Sequence, residues 1–196
     1  MTNRSNALFT LFPWSLYFLG RVISRPAVGI AGAVIVMFAA RLLGRYRFKC
    51  TDWTQLTFFF LLLLGVYWGR NPWLIKYQSV LAPACFTLLS FGSLLIGRPF
   101  TADYARGQVP ERFWLDPVFP RHFQRVNLIL TSGWGVAFAL AMFCASWEIR
   151  HPPVHGWWMK AIPWGGFILI FLGTRYFPYW YQNEVYAKNS SLFDPI

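Results

Sequence analysis

Glu148, His151 and His155 are the densest grouping of chemistry-bearing side chains, one carboxylate and two imidazoles within the eight residues Glu148-Ile149-Arg150-His151-Pro152-Pro153-Val154-His155. Imidazole and carboxylate together are competent ligands for a divalent transition metal. The spacing works against that use. Pro152 and Pro153 stop a helix from bringing His151 and His155 onto one face, and neither a thiol nor a third histidine follows closely in sequence. A solvated loop is the favoured reading, with no metal and no cofactor expected. Cys50, Cys85 and Cys144 form no CxxC pair and sit in separate segments. That argues against a disulfide framework, and Cys85 and Cys144 read as small packing groups. No HExxH, GxSxG, Walker loop or dinucleotide fingerprint occurs. The expectation is a protein that is not an enzyme.

The segments that must position these residues are apolar. Ala27 to Leu43, Trp53 to Gly69, Tyr77 to Gly97, Val126 to Trp147 and Ala161 to Tyr181 are long hydrophobic stretches separated by basic loops, and a shorter one runs from Ala7 to Gly20. Of 196 residues, 56% are hydrophobic and 13% charged, against about 25% charged in a soluble domain. Mean hydropathy is +0.39. A spanning helix takes about 20 residues to cross roughly 30 Å of hydrocarbon. The expected fold is therefore all-α, a polytopic transmembrane helical bundle occupying residues 1–196 as one integral membrane domain. It has five full spans plus the short N-terminal membrane helix, and counting that helix as a crossing gives the favoured six-span version. Residues 7–20 are short for a span, and Phe9, Phe12, Trp14, Tyr17 and Phe18 also suit an interfacial position. Arg4 ahead of this run imitates a secretory signal, but no Ala-x-Ala-like site follows, so the segment reads as retained.

The net charge of +11 is spread through the loops and reads as orientation signal, with no nucleic acid as partner. Six crossings place eleven Lys and Arg on one side and six on the other, leaving Arg175 inside a span. Lys and Arg accumulate on the cytoplasmic side. A bacterial inner (cytoplasmic) membrane protein, multi-pass and with both termini inside, is the result. Trp53, Tyr67 and Trp68, then Trp147, Trp157 and Trp158, and finally Tyr176, Tyr179, Trp180 and Tyr181 mark span ends, as aromatic belts do. The triplets at Asn3 and Asn189 match a glycosylation acceptor but fall on the cytoplasmic side of this topology.

Specificity has two candidate locations. Gly133, Ala137, Ala141 and Ala145 recur at fourfold spacing, a ladder suited to close helix approach within the bundle, to a homo-oligomer seam, or to docking of another membrane protein. Gly29 with Ala33 and Ser93 with Gly97 repeat the device. The segment from Arg98 to Arg125 is the only sizeable polar stretch, a cytoplasmic amphipathic loop with Arg98, Arg106, Arg112, Arg121 and Arg125 interleaved with Trp114 and other aromatics. Phe100 to Arg106 and Pro110 to Trp114 are expected to form short interfacial helices at membrane lipids, with the arginines meeting anionic headgroups or acidic partners, the alternative being a positive-inside anchor with no specific partner. Within the spans, Asn127 is expected to make an interhelical hydrogen bond. Arg175 is expected near a helix end set by Pro178, where it can snorkel.

The order of these features resembles the bacterial intracellular septation protein A family. The resemblance is carried by the basic helix end Arg41-Leu42-Leu43-Gly44-Arg45-Tyr46-Arg47, by Asn71-Pro72-Trp73-Leu74-Ile75-Lys76-Tyr77 opening a long helix that closes at Gly97-Arg98-Pro99, and by Arg125-Val126-Asn127-Leu128 with Trp134. Arg175-Tyr176-Phe177-Pro178 completes it. It is a likeness of layout over nearly the whole chain, with a longer Arg98 to Arg125 loop here. What it implies is a small inner-membrane protein associated with envelope synthesis and cell division, without catalytic residues. An interaction or scaffold component is then the expected role. The alternatives are an accessory subunit of a respiratory or light-harvesting complex contacting lipid, quinone or pigment, and a channel or transporter.

Overall fold

The computed structural model describes residues 13, 15–17, 19, 26–42, 50–65, 69, 71–151 and 157–186, to which all structural statements refer. The elements are α1 (Pro26–Leu42), α2 (Cys50–Leu63), α3 (Pro72–Leu95), α4 (Phe100–Ala105), α5 (Glu111–Trp114), α6 (Phe119–Arg150) and α7 (Trp158–Tyr181). A 3-10 turn, Arg106–Gln108, follows α4, and a π-helical turn, Gln182–Tyr186, follows α7. The protein is all-helical, with no strand among the described residues. Most of the 7–20 run, both sequons and residues 152–155 of the histidine segment lie outside those residues.

Two of the long helices start well before the apolar runs that announce them. Asn71 accepts the Trp73 N–H on Oδ1 at 2.9 Å, and Pro72 follows it as the first helical residue, where its missing N–H costs nothing. This begins α3 five residues ahead of Tyr77. Similarly, Asp116 Oδ1 accepts the Val118 N–H at 2.8 Å and Pro120 sits in the first turn of α6. Arg121 and Arg125 are consequently helical residues of α6 rather than loop residues.

By internal contacts the chain divides into two compact units, residues 1–85 and 86–196, with the boundary inside α3. In the first unit, Ile30, Ala33, Val34 and Met37 of α1 meet Leu56, Phe58, Phe59 and Leu62 of α2, with Tyr17 against them. The pairing buries one stripe of each helix. Gly29 is buried on the same face as Ala33, as the small-residue pair anticipates. The second long apolar run starts at Trp53, yet α2 begins at Cys50 and its first turns bury Asp52 and Gln55 in this unit. Tyr17 donates to Gln78 Oε1 at 3.2 Å.

In the second unit α6 and α7 run side by side in opposite directions. His122 Nδ1 lies 3.1 Å from Tyr181 Oη, and Trp134 Nε1 donates to Thr174 Oγ1 at 3.0 Å. Phe138 stacks on Phe86 with ring centres 4.9 Å apart and meets Phe167 edge-on. One face of α6 carries Ile129, Val136, Leu140, Phe143 and Trp147, all exposed, an apolar stripe with helical spacing interrupted by the exposed Ser132.

Lys76–Leu95 of α3 and Phe119–Arg150 of α6 are long and apolar enough to cross a membrane. The apolar part of α1, Ala27–Ala39, is shorter. Helix α7 has 24 residues, but Trp, Tyr and Pro at both ends dilute its apolar centre. At 1.5 Å per residue α6 is about 48 Å long, more than the roughly 30 Å hydrocarbon layer needs.

Candidate functional site

The polar hairpin between α3 and α6 is built from its first residue. Gly97 takes φ 73°, its N–H bonds to Leu94 O at 2.9 Å, and the Arg98 N–H bonds to Ser93 O at 2.9 Å. Together these form a Schellman cap, in which a left-handed glycine lets the last carbonyls of a helix be satisfied. Ser93 and Gly97 therefore serve helix termination. Ser93 Oγ also donates to Ser90 O at 2.8 Å and accepts the Phe100 N–H at 3.2 Å, which directs the chain straight into α4.

Helix α4 is latched to α6 by hydroxyl groups. Thr101, buried, donates its single proton to the Asn127 carbonyl at 3.0 Å, so Thr131, 2.8 Å away, is the donor to Thr101. Asn127, Thr131 and Gly135 follow one another at fourfold spacing on α6 and are all buried. A Cβ added to Gly135 would lie 3.1 Å from Phe91 Cζ and 3.2 Å from Ser90 Cβ of α3. This second stripe of small and hydroxyl-bearing residues is the one that receives α4 and the end of α3. In the sequence Asn127 stands out only as an isolated polar group within a span, and Thr131 and Gly135 carry no motif of their own. The i, i+4, i+8 spacing was the signal available.

Asn127 itself departs from expectation. Its Nδ2 donates to Phe123 O, one turn back on α6, at 2.8 Å, and its Oδ1 is buried with no partner among the described residues. The amide makes an intrahelical bond, and Thr101 supplies the link between elements. An orphaned buried acceptor costs about 1–3 kcal/mol. Asn127→Leu, of similar shape, is expected to leave thermal stability unchanged or raise it by up to ~1 kcal/mol. A loss larger than that in a melting experiment would show that the amide bridges helices after all.

Beyond α4 the hairpin closes with aromatic packing. Trp114 meets Phe119 and Phe123 edge-on at 5.1 Å each, Phe113 lies 5.4 Å from Phe119, and the Arg106 guanidinium sits over the Trp114 ring at 5.3 Å. Such a cation–π contact contributes about 0.5–1 kcal/mol at an exposed site. The expected short helices are both present, α4 ending at Ala105 and α5 starting at Glu111. Arg112 lies on α5. Arg98, Arg121 and Arg125 are exposed.

The first ladder packs elsewhere. A Cβ on Gly133 would run into Ile170 of α7, and one on Gly166 of α7 would come within 3.9 Å of Ala137 Cβ. Ala137 is buried, and Gly133, Ala141 and Ala145 are half-buried. Arg175 stands exposed in the body of α7, because Pro178 does not end that helix. The Gln182 N–H bonds back to Pro178 and Tyr179 carbonyls, and a proline inside a helix forfeits one backbone bond that neighbouring groups can re-satisfy.

His151 is exposed, with its ring stacked on Trp147 at 4.3 Å. Among the described residues no three His, Cys, Asp or Glu side chains are grouped to hold a metal ion. An open groove of about 660 Å³ lies in the first unit between Trp53, Phe58 and Leu61 of α2 and Leu74, Leu81 and Cys85 of α3. The described parts thus define a helical protein with two helices able to cross a membrane and a folded, arginine-bearing hairpin between them. No family model, curated protein or solved structure matches the chain.

Proposed function

We propose that the protein is a non-enzymatic, multi-pass component of the bacterial inner membrane, of the septation protein A type, that acts by holding other membrane proteins of the envelope or division machinery. In this reading it crosses the membrane six times with both termini in the cytoplasm, and the α3–α6 hairpin is its cytoplasmic recognition element. One observation carries the proposal. A hairpin that bears arginines outward is latched by buried hydroxyls to a helix whose outer face is a stripe of large apolar residues. Exposed apolar surface on that scale is the mark of a surface meant for lipid or for another protein. A polar element held rigidly beside it presents a fixed pattern of charge to a partner.

Affinity purification of the full chain from membranes in mild detergent is expected to recover wall-synthesis or division proteins. Recovery of the chain alone would overturn the scaffold role. Co-migration with a coloured or redox-active complex on a native gel would replace it with the accessory-subunit role.

A further inference from the structure

Resting on the membrane reading above, we infer that Arg98, Arg121 and Arg125 together form a site for the phosphate headgroup of an anionic phospholipid. The backbone at Arg98 is fixed by the Schellman cap. The carbonyl of Gly97 accepts Gln124 Nε2 at 3.4 Å, and Gln124 lies between Arg121 and Arg125 in α6. The end of α3 is thereby held against the first turns of α6 where both guanidiniums originate. All three arginines are exposed, and none has an ion-pair partner among the described residues.

Arg106 lies over Trp114, and Asp116 is buried with an oxygen on the Val118 N–H. Guanidinium groups bind phosphate bidentately and are weakly hydrated, so they suit this ligand better than lysine does. The source of the phosphate is a lipid because the site has an apolar rim. Leu95 and Ile96, 89% and 75% exposed, precede Arg98 by less than one turn, and Ile129, also exposed, follows Arg125 by one turn. A ligand with a charged head and acyl chains satisfies both halves.

The test is native mass spectrometry of the full chain in mild detergent, titrated with dioleoylphosphatidylglycerol or dioleoylphosphatidylcholine. Each arginine near the surface is expected to contribute about fivefold, so the wild type should retain the anionic lipid on the order of 100-fold better than the zwitterionic one. R98Q/R121Q/R125Q should reduce that preference to about twofold. R150Q, at the far end of α6 roughly 38 Å from Arg125, should keep it. Equal retention of both lipids by the wild type, an unchanged preference in the triple variant, or an equal loss in R150Q would each overturn the site. Displacement of the anionic lipid by millimolar inorganic phosphate would also overturn it, by showing a free-anion site. If the triple variant melts below wild type, R98Q alone is used, with about a fivefold loss expected and no loss contradicting the proposal. A lipid preference without captured proteins would sink the scaffold role alone, and captured proteins without a lipid preference would sink this site alone.

Discussion

Gly135→Leu is expected to cost about 1–3 kcal/mol, the usual penalty for forcing extra methylenes into a packed interior, and to lower the melting temperature in detergent by roughly 2–12 °C. Even a single Cβ there would stand 3.1–3.2 Å from Phe91 and from the Ser90 side chain, and Ser90 is wholly buried. A leucine has three further carbons to place. The end of α3 must then move off α6, which also pulls on Ser93 and the start of α4. Gly92→Ala and Gly165→Ala are the controls, since a Cβ at either meets nothing within 4 Å, and each should melt at or above wild type because alanine is the better helix former. Gly133→Ala should be milder than Gly135→Leu because the group in its way is the tip of Ile170, a flexible side chain. If Gly135→Leu melts with wild type, the second stripe does not carry the packing assigned to it.

Trp114→Ala is expected to detach the hairpin while leaving the α6–α7 pair intact. The indole is half-buried, so the loss should be about 2–3 kcal/mol, below the ~3–5 kcal/mol of a fully buried aromatic. It removes the surface that Phe119 and Phe123 pack on and the ring beneath Arg106. Trypsin should cut the variant at Arg106 and Arg112 far faster than the wild type, and Trp114→Phe should restore much of the protection. Uniform protection in the alanine variant would show that the Thr101 latch alone holds the hairpin.

Hydropathy runs told where helices lie because a long apolar stretch removed from water must satisfy its own backbone hydrogen bonds, which a helix does whatever its partners. They did not tell where helices begin. Capping of α3 by Asn71, a turn held by Asp116 just ahead of α6 and early prolines extended both helices into polar sequence, and that extension converts Arg121 and Arg125 into helix residues. The ladder from Gly133 to Ala145 was legible as a stripe of small residues, and its first two members do meet α7. The stripe Asn127, Thr131, Gly135 was obscured by its chemistry, since three different residue types share only small size and hydrogen-bonding or close-approach capacity. Asn127 shows the limit of reasoning from type alone. A buried amide must find partners, but sequence cannot say whether the partner is another helix or the carbonyl one turn back.

The helix end near Arg175 was misplaced for a related reason. Proline usually ends a helix in water, whereas α7 continues through Pro178 to Tyr181.

Sidedness of the hairpin is the central claim, because the scaffold role and the lipid site both need Arg98 to Arg125 on the cytoplasmic face. It is tested by replacing Cys50, Cys85 and Cys144 and introducing G107C in the hairpin or W157C between α6 and α7, both at exposed positions. A membrane-impermeant maleimide applied to spheroplasts should label W157C directly and G107C only after permeabilisation. Labelling of G107C in sealed spheroplasts, or the same response at both positions, would contradict the account.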